Sequence, residues 1–220
     1  MGESALEKQK GPVEDLNFFD GILYINLERR QDRKRRILGE LKRLHVHPSK
    51  IHRINAIHDP ANGHRGCALS HQKALDFAIE KKWNNLLILE DDCVFSKEEE
   101  VQKAMRALIS LENGWDAFLF GGDLALSEEA SFSDLLRVRK ALRAHAYAVQ
   151  SHYFPQLRSC YEEAIESMQN ILFFFDSLPF AIDRRWQLLQ RDDRWYAPKK
   201  LVAFQGSSFS DICCMDLFER

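Results

Sequence analysis

Two short runs, Gly21-Ile22-Leu23-Tyr24-Ile25-Asn26-Leu27 and Leu86-Leu87-Ile88-Leu89, are apolar almost throughout rather than at every second position. A strand with one wet face alternates in polarity; a strand that is apolar throughout is buried on both faces and needs a layer above and below its sheet. After each run the period changes. Ile37, Leu38, Leu41 and Leu44 recur at helical spacing in a very basic segment. Ser96 and Glu99 have the spacing of a capping box, which predicts a helix start there and a buried stripe of Val101, Met105, Leu108 and Ile109. Between these, Ile51 to Ala56 reads as a weaker strand, and Ala68, Leu69, Leu75, Ala78 and Ile79 mark a helix. Trp115 to Phe120 reads as a strand ended by Gly121-Gly122. The alternation predicts an α/β fold with helices on both faces of the sheet.

Beyond residue 122 the alternation weakens. Leu124 to Asp134 reads as a polar surface loop, Ala144 to Gln150 as a strand, and Pro155 fits the first turn of a helix continued by Tyr161, Ala164, Ile165 and Met168. Leu201 to Phe204 reads as a late strand. Residues 1–17 are expected to be a flexible leader and 18–220 one domain.

The composition narrows the class. With 220 residues and 45% hydrophobic content the chain can bury roughly 70% of its unfolded surface. Thirty-one basic against 33 acidic residues, a formal net charge of −2, exclude a globally basic nucleic-acid binder and an acidic solvating tail. The five cysteines form no C-x-x-C pair, and the adjacent Cys213 and Cys214 are poorly placed to bridge each other, which favours a reducing compartment. The longest apolar run, Ile171 to Phe175, is far short of the ~18 to 20 residues of a spanning helix. Met1 to Leu16 has no apolar h-region and is not a secretory signal. The expectation is a soluble, cytoplasmic protein, or one peripheral at the inner face of a membrane, with no integral membrane segment and no nucleic-acid partner.

The most informative local feature is the abrupt end of an apolar strand in Glu90-Asp91-Asp92. Three adjacent carboxylates repel one another, and in an open α/β sheet the carboxyl ends of strands border the ligand crevice. A hard divalent cation such as Mg²⁺ or Mn²⁺ takes oxygen ligands and bridges carboxylates to a substrate diphosphate. If strand geometry persists, Glu90 and Asp92 point one way and Asp91 the other. The bland alternative is a solvated strand end. Glu98-Glu99-Glu100 nearby fits the first turn of a helix, where negative charge suits the dipole.

Taken in order, several motifs resemble glycosyltransferase family 25, the lipooligosaccharide and collagen galactosyltransferase group. Tyr24-Ile25-Asn26-Leu27-Glu28-Arg29-Arg30-Gln31-Asp32-Arg33 is similar to its first strand and arginine-bearing turn. Gly66-Cys67-Ala68-Leu69-Ser70-His71 is similar to its glycine-cysteine-x-x-serine-histidine motif, and Leu89-Glu90-Asp91-Asp92 stands in the place of its variant DxD motif. Ala144-His145-Ala146-Tyr147 matches a later element; Ala181-Ile182-Asp183 and the segment from Pro198 through Gln205 to Ser210-Asp211-Ile212 resemble its closing block. Leu124 to Arg143 matches no part of the pattern. The resemblance spans roughly residues 20 to 212 and implies a single Rossmann-like domain of GT-A type, with a mixed, mainly parallel sheet, a nucleotide-sugar donor and Mn²⁺ or Mg²⁺.

It also implies roles. Asp92, the last carboxylate of the motif, is expected to touch the metal; Glu90 and Asp91 are expected at the metal's waters, the ribose or the donor sugar. Asn26, Arg30 and Arg33 follow the first strand, where a guanidinium can hold a phosphate or stack on a base, whereas Lys34, Arg35 and Arg36 fit a solvated helix face. Ser70 and His71, about 100° apart on a helix, do not make a nucleophilic dyad; they read as donor-site contacts, with a structural histidine as the alternative. Cys67 reads as a small buried hydrophobe. Gly121-Gly122 either admits a sugar closely or turns the chain. His145 and Tyr147 share one face of a strand, lining a cleft or forming a core pair. No histidine follows His152 to serve as a late metal ligand, so Asp211 is the nearest substitute. Asp183 is the expected general base, a salt bridge to Arg184 or Arg185 being its bland alternative.

The reading is a metal-assisted, inverting transferase that moves a hexose, galactose or glucose, from a UDP-sugar to a hydroxyl on a glycan, glycolipid or protein. The rivals are a metal-dependent phosphohydrolase or nucleotidyltransferase using the same carboxylates, and a non-catalytic homologue that binds a sugar nucleotide.

Overall fold

A computed structural model describes residues 14–131, 134–171, 174–206, 208–210 and 215–217. The first half holds β1 (Gly21–Asn26), α1 (Gln31–Arg43), β2 (Ile51–Asn55), α2 (Gly63–Lys81), β3 (Asn85–Glu90), β4 (Cys93–Phe95) and α3 (Glu98–Ile109). Then come β5 (Ala117–Leu119), β6 (Asp123–Glu129), β7 (Leu135–Leu142), β8 (Ala146–Gln150) and α4 (Phe154–Ser167). Three short helices follow, α5 (Phe174–Ser177), α6 (Ile182–Arg185) and α7 (Gln187–Gln190), with strands β9 (Trp195–Pro198), β10 (Ala203–Gln205), β11 (Ser208–Ser210) and β12 (Met215–Leu217).

Eight strands form one sheet in the order β2-β1-β3-β8-β5-β9-β7-β6. Its pairings run β7 and β8 against the direction shared by the other six, so the sheet is mixed and mainly parallel. The doubly apolar strands divide their side chains between two cores. Leu23 and Ile25 of β1, with Leu86 and Ile88 of β3, pack with Ala74, Leu75 and Ala78 of α2 and Leu157 and Tyr161 of α4. Ile22, Tyr24, Leu87 and Leu89 point the other way, onto Ile37 and Leu41 of α1 and Val101, Met105 and Leu108 of α3. The three-layer α/β architecture is the one the periodicity predicts.

Three expectations change. The segment read as a loop, Leu124 to Asp134, holds all of β6 but its first residue, Asp123, and β6 pairs antiparallel with β7 at the sheet edge. Most of β6 is solvent-exposed, so it carries no apolar alternation to betray it. The capping box at Ser96 and Glu99 does not form: α3 begins at Glu98 behind Lys97, and the Ser96 N–H donates to the Val202 carbonyl at 2.9 Å, as an extension of the β4–β10 ladder. Leu16 is buried in the α1–α3 core, so the folded unit begins before the expected start at residue 18. Among the described residues, no helix is long and apolar enough to cross a membrane.

Candidate active site

The chain leaves β1 for β2 on one side and then crosses to β3 on the other, the strand order that opens a crevice at the carboxyl ends. The cleft there has a volume of about 740 Å³, part of it open to solvent. Its floor is the acidic step, one wall is α2, and the segment after β2, Ala56 to Asp59, forms another.

The strand ends at Glu90, and Asp91 and Asp92 lie in a turn, so strict alternation does not persist through the step. Asp91 reaches toward α1. Its two oxygens accept from Asn26 Nδ2 at 2.7 Å and from Arg33 Nη1 at 2.8 Å. Asn26 also donates to the Arg30 carbonyl and accepts from Arg53 Nε, so it supports the step from beneath and does not line the cleft. Arg30 pairs with Asp32 at the start of α1, also outside the cleft lining. Arg33 does line the cleft, but its guanidinium engages Asp91 and, at 3.4 Å, Asp92. Arg33, in the first turn of α1, is thus the counter-ion of the acidic step.

Asp92 is buried and its Oδ1 has no hydrogen-bond partner. Burial, and then the neighbouring Glu90, push its carboxyl up to about 7 against the opposing pull of Arg33. Glu90 behaves differently. Burial raises it, but the hydrogen bond and charge of His71, with His145 and Arg33 nearby, hold it below the ordinary carboxylate value. Its oxygens face His71 Nε2 and Gln205 Nε2, each at 3.4 Å, which is long for such bonds.

The α2 motif divides its residues between fold and cleft. A Cβ at Gly66 would stand 2.7 Å from the Ile57 carbonyl, so glycine permits the β2–α2 segment to press against the helix. Ser70 Oγ donates to the Gly66 carbonyl at 2.6 Å and accepts the Ile57 N–H at 2.8 Å. Ser70 thus latches that cleft wall. Cys67 and His71, four residues apart on one helix face, look into the cleft beside Glu90.

Behind His71 runs a buried polar chain. Tyr161 O–H donates to Tyr147 Oη at 2.9 Å, and Tyr147 Oη lies 2.9 Å from His71 Nδ1. Burial drives both phenols well above their ordinary value, so both stay neutral. Tyr147 therefore sits in the core and not in the cleft lining. His145 is buried too, its Nε2 against the Ala203 carbonyl at 3.2 Å and its Nδ1 without a partner. Burial lowers its pKa below the ordinary imidazole value. A Cβ at Gly121 would collide with the His145 ring and the Ala203 carbonyl, so this glycine admits a histidine, while Gly122, at φ +150°, turns the chain into β6.

Asp183, in the first turn of α6, accepts the Arg143 backbone N–H at 2.9 Å. Burial raises its carboxyl, and Glu90 raises it further. Asp211 lies outside the described residues. Two participants carried no site role in the sequence: Gln205, which bonds Glu90, and Arg143, which bonds Gln205 and Asp183. They come from β10 and from the end of β7, over 100 and 50 residues from the acidic step, and no local spacing links them to it.

The sequence profile of glycosyltransferase family 25, described as an LPS biosynthesis protein, matches residues 45–159, just over half of the chain. That span takes in the α2 motif, the acidic step and the His145–Tyr147 element. The chain belongs to glycosyltransferase family 25. It is a glycosyltransferase, with a sugar donor and an acceptor as partners. Residues 24–33 and 181–212 lie outside the matched span. A search of curated proteins finds no match. Among solved structures, a mannose-1-phosphate geranyltransferase from Thermus thermophilus is similar at 10% identity, covering 81% of this chain and 72% of that one with a TM-score of 0.48. A glycosyltransferase involved in glycosylation of the major capsid of PBCV-1 is similar at 10% identity, covering 81% and 91%, again with a TM-score of 0.48.

Proposed function

We propose that this family 25 glycosyltransferase moves a hexose, galactose or glucose, from a UDP-sugar to a hydroxyl of a glycan, glycolipid or protein, with Mn²⁺ or Mg²⁺ and with inversion at the anomeric carbon. The observation that carries the reading is the buried, partnerless Oδ1 of Asp92 beside Glu90. Three carboxylates meet there, and the Arg33 guanidinium offsets one charge. A buried oxygen with no donor is costly unless something occupies it. Glu90 and Asp92 are hard oxygen donors of the kind Mg²⁺ and Mn²⁺ take, so the residues fit such a cation. When bound, the cation supplies Lewis-acid stabilisation of the charge developing on the departing diphosphate.

The remaining work falls to the chain's own groups. Leu27, Ala56 and Ile57 give the cleft an apolar wall suited to a base. Ser70 fixes that wall through Ile57. His71 and Gln205 orient Glu90 from opposite sides. Asp183 is the general base: burial raises its proton affinity, and the Arg143 N–H fixes its orientation. As the acceptor hydroxyl attacks, its proton passes to Asp183 and the bond from the anomeric carbon to the diphosphate oxygen breaks, with no covalent enzyme intermediate.

The test is a pair of measurements on Asp183→Asn. Transfer should fall by about 10²–10⁴-fold, the scale of a lost general base, while UDP-sugar affinity stays the same. Near-normal transfer removes Asp183 as base, and lost donor affinity moves it into the donor site. The wild type with Mn²⁺ and no acceptor should slowly hydrolyse a UDP-sugar and leave UTP intact; preferential attack on UTP would favour a phosphohydrolase.

A further inference from the structure

Cys67 and His71 stand one turn apart on the same face of α2, and Glu90 meets them from the end of β3. The ligand atoms of these three side chains all lie within 4.8 Å of one another. His71 Nε2 and Glu90 Oε1 are 3.4 Å apart. That is long for a hydrogen bond, yet it matches the edge of a tetrahedron with metal bonds of about 2.0–2.1 Å, roughly 3.4 Å. The set is thiol, imidazole and carboxylate. It differs in chemistry from the all-oxygen pair of Glu90 and Asp92, and it suits a borderline-soft cation rather than Mg²⁺.

Two further features are those of a metal site. The far nitrogen of His71 is already fixed by Tyr147 Oη at 2.9 Å, with Tyr161 behind it, the kind of outer hydrogen bond that orients ligating histidines. The cleft opens directly onto Cys67, His71 and Glu90, giving a path of entry and room for a fourth ligand from water.

We propose that Cys67 Sγ, His71 Nε2 and Glu90 form a Zn²⁺ site, and that its occupation excludes the donor-side cation by withdrawing Glu90. Zn²⁺ binding displaces the Cys67 thiol proton to solvent. It also moves the neutral His71 ring's proton from Nε2, where it faces Glu90, to Nδ1 by exchange with solvent; Nδ1–H then donates to Tyr147 Oη, and the Tyr147 hydroxyl turns to Tyr161 Oη. Zn²⁺ binding itself stands on the three ligands; the exclusion rests on the donor site proposed above.

Co²⁺ is the optical probe for Zn²⁺. The reduced full chain should show a saturable thiolate-to-Co²⁺ charge-transfer band, displaced by Zn²⁺. The band should persist in Asp92→Asn and be lost in Cys67→Ser and Cys67→Ala, with circular dichroism confirming that each variant is folded. No band in the wild type, or an equal band in the Cys67 variants, would overturn the site. Saturating Zn²⁺ should also weaken UDP-sugar binding with Mn²⁺ at least tenfold in the wild type but not in Cys67→Ser. A band with no effect on donor binding would overturn the exclusion. A band in a protein that binds no UDP-sugar at all would instead count against the donor reading, leaving the Zn²⁺ site in place.

Discussion

Replacing Asp92 with Asn should make the cation-free protein more stable, and the gain should grow with pH. Asp92 is buried, and its carboxyl is pushed from an ordinary 3.8 up to about 7. An acid whose folded pKa exceeds its unfolded one binds its proton more tightly when folded. Its contribution to stability is therefore full below the unfolded value and is lost as pH rises through the folded one. Above about pH 7 the protein carries a buried charge that the unfolded chain would hold in water. The rise from 3.8 to about 7 corresponds to an upper figure of about 4 kcal/mol. Asparagine keeps the shape and carries no charge, and Arg33 retains its 2.8 Å partner in Asp91. The expected gain is about 2–4 kcal/mol at pH 8 and close to nothing at pH 4. In a chain of this size it should appear as a rise in Tm of roughly 4–16 °C in EDTA at pH 8. A variant no more stable than wild type at pH 8, or a difference that ignores pH, would refute the assignment of Asp92 as a charge held ready for a cation.

Other changes probe the frame around the site. Gly66→Ala places a methyl 2.7 Å from the Ile57 carbonyl and should cost about 1–3 kcal/mol in urea unfolding; an unchanged midpoint would mean that the cleft wall yields freely. Tyr147→Phe strips the partner from His71 Nδ1 and Tyr161, both buried, and should cost about 1–3 kcal/mol by the same measurement. A loss below about 0.5 kcal/mol would mean that the chain of hydroxyls behind His71 contributes little.

The parts legible in the sequence were those written in local pattern. Leu86 to Leu89 announces a doubly buried strand because each residue is apolar, and Gly66 to His71 shows its spacing within two helical turns. The acidic step was visible as a charge problem, and the structure places its three carboxylates where strand ends border a cleft. What the sequence hid was set by distance or by exposure. Arg33 reads as a phosphate or base contact, and its carboxylate partner shows only when β1 and β3 lie side by side and bring Asp91 within 2.8 Å. Gln205 and Arg143 reach Glu90 and Asp183 only after the sheet has assembled. Strand β6 was missed because an exposed edge strand has no reason to alternate in polarity.

Calorimetric titration of a UDP-sugar into wild type and Asp92→Asn, each with and without Mn²⁺, tests the central claim most directly. The wild type should bind the donor only when Mn²⁺ is present, and the folded variant should lose that dependence together with most of its affinity. Equal Mn²⁺-dependent binding by both proteins would contradict the account and remove Asp92 from the site.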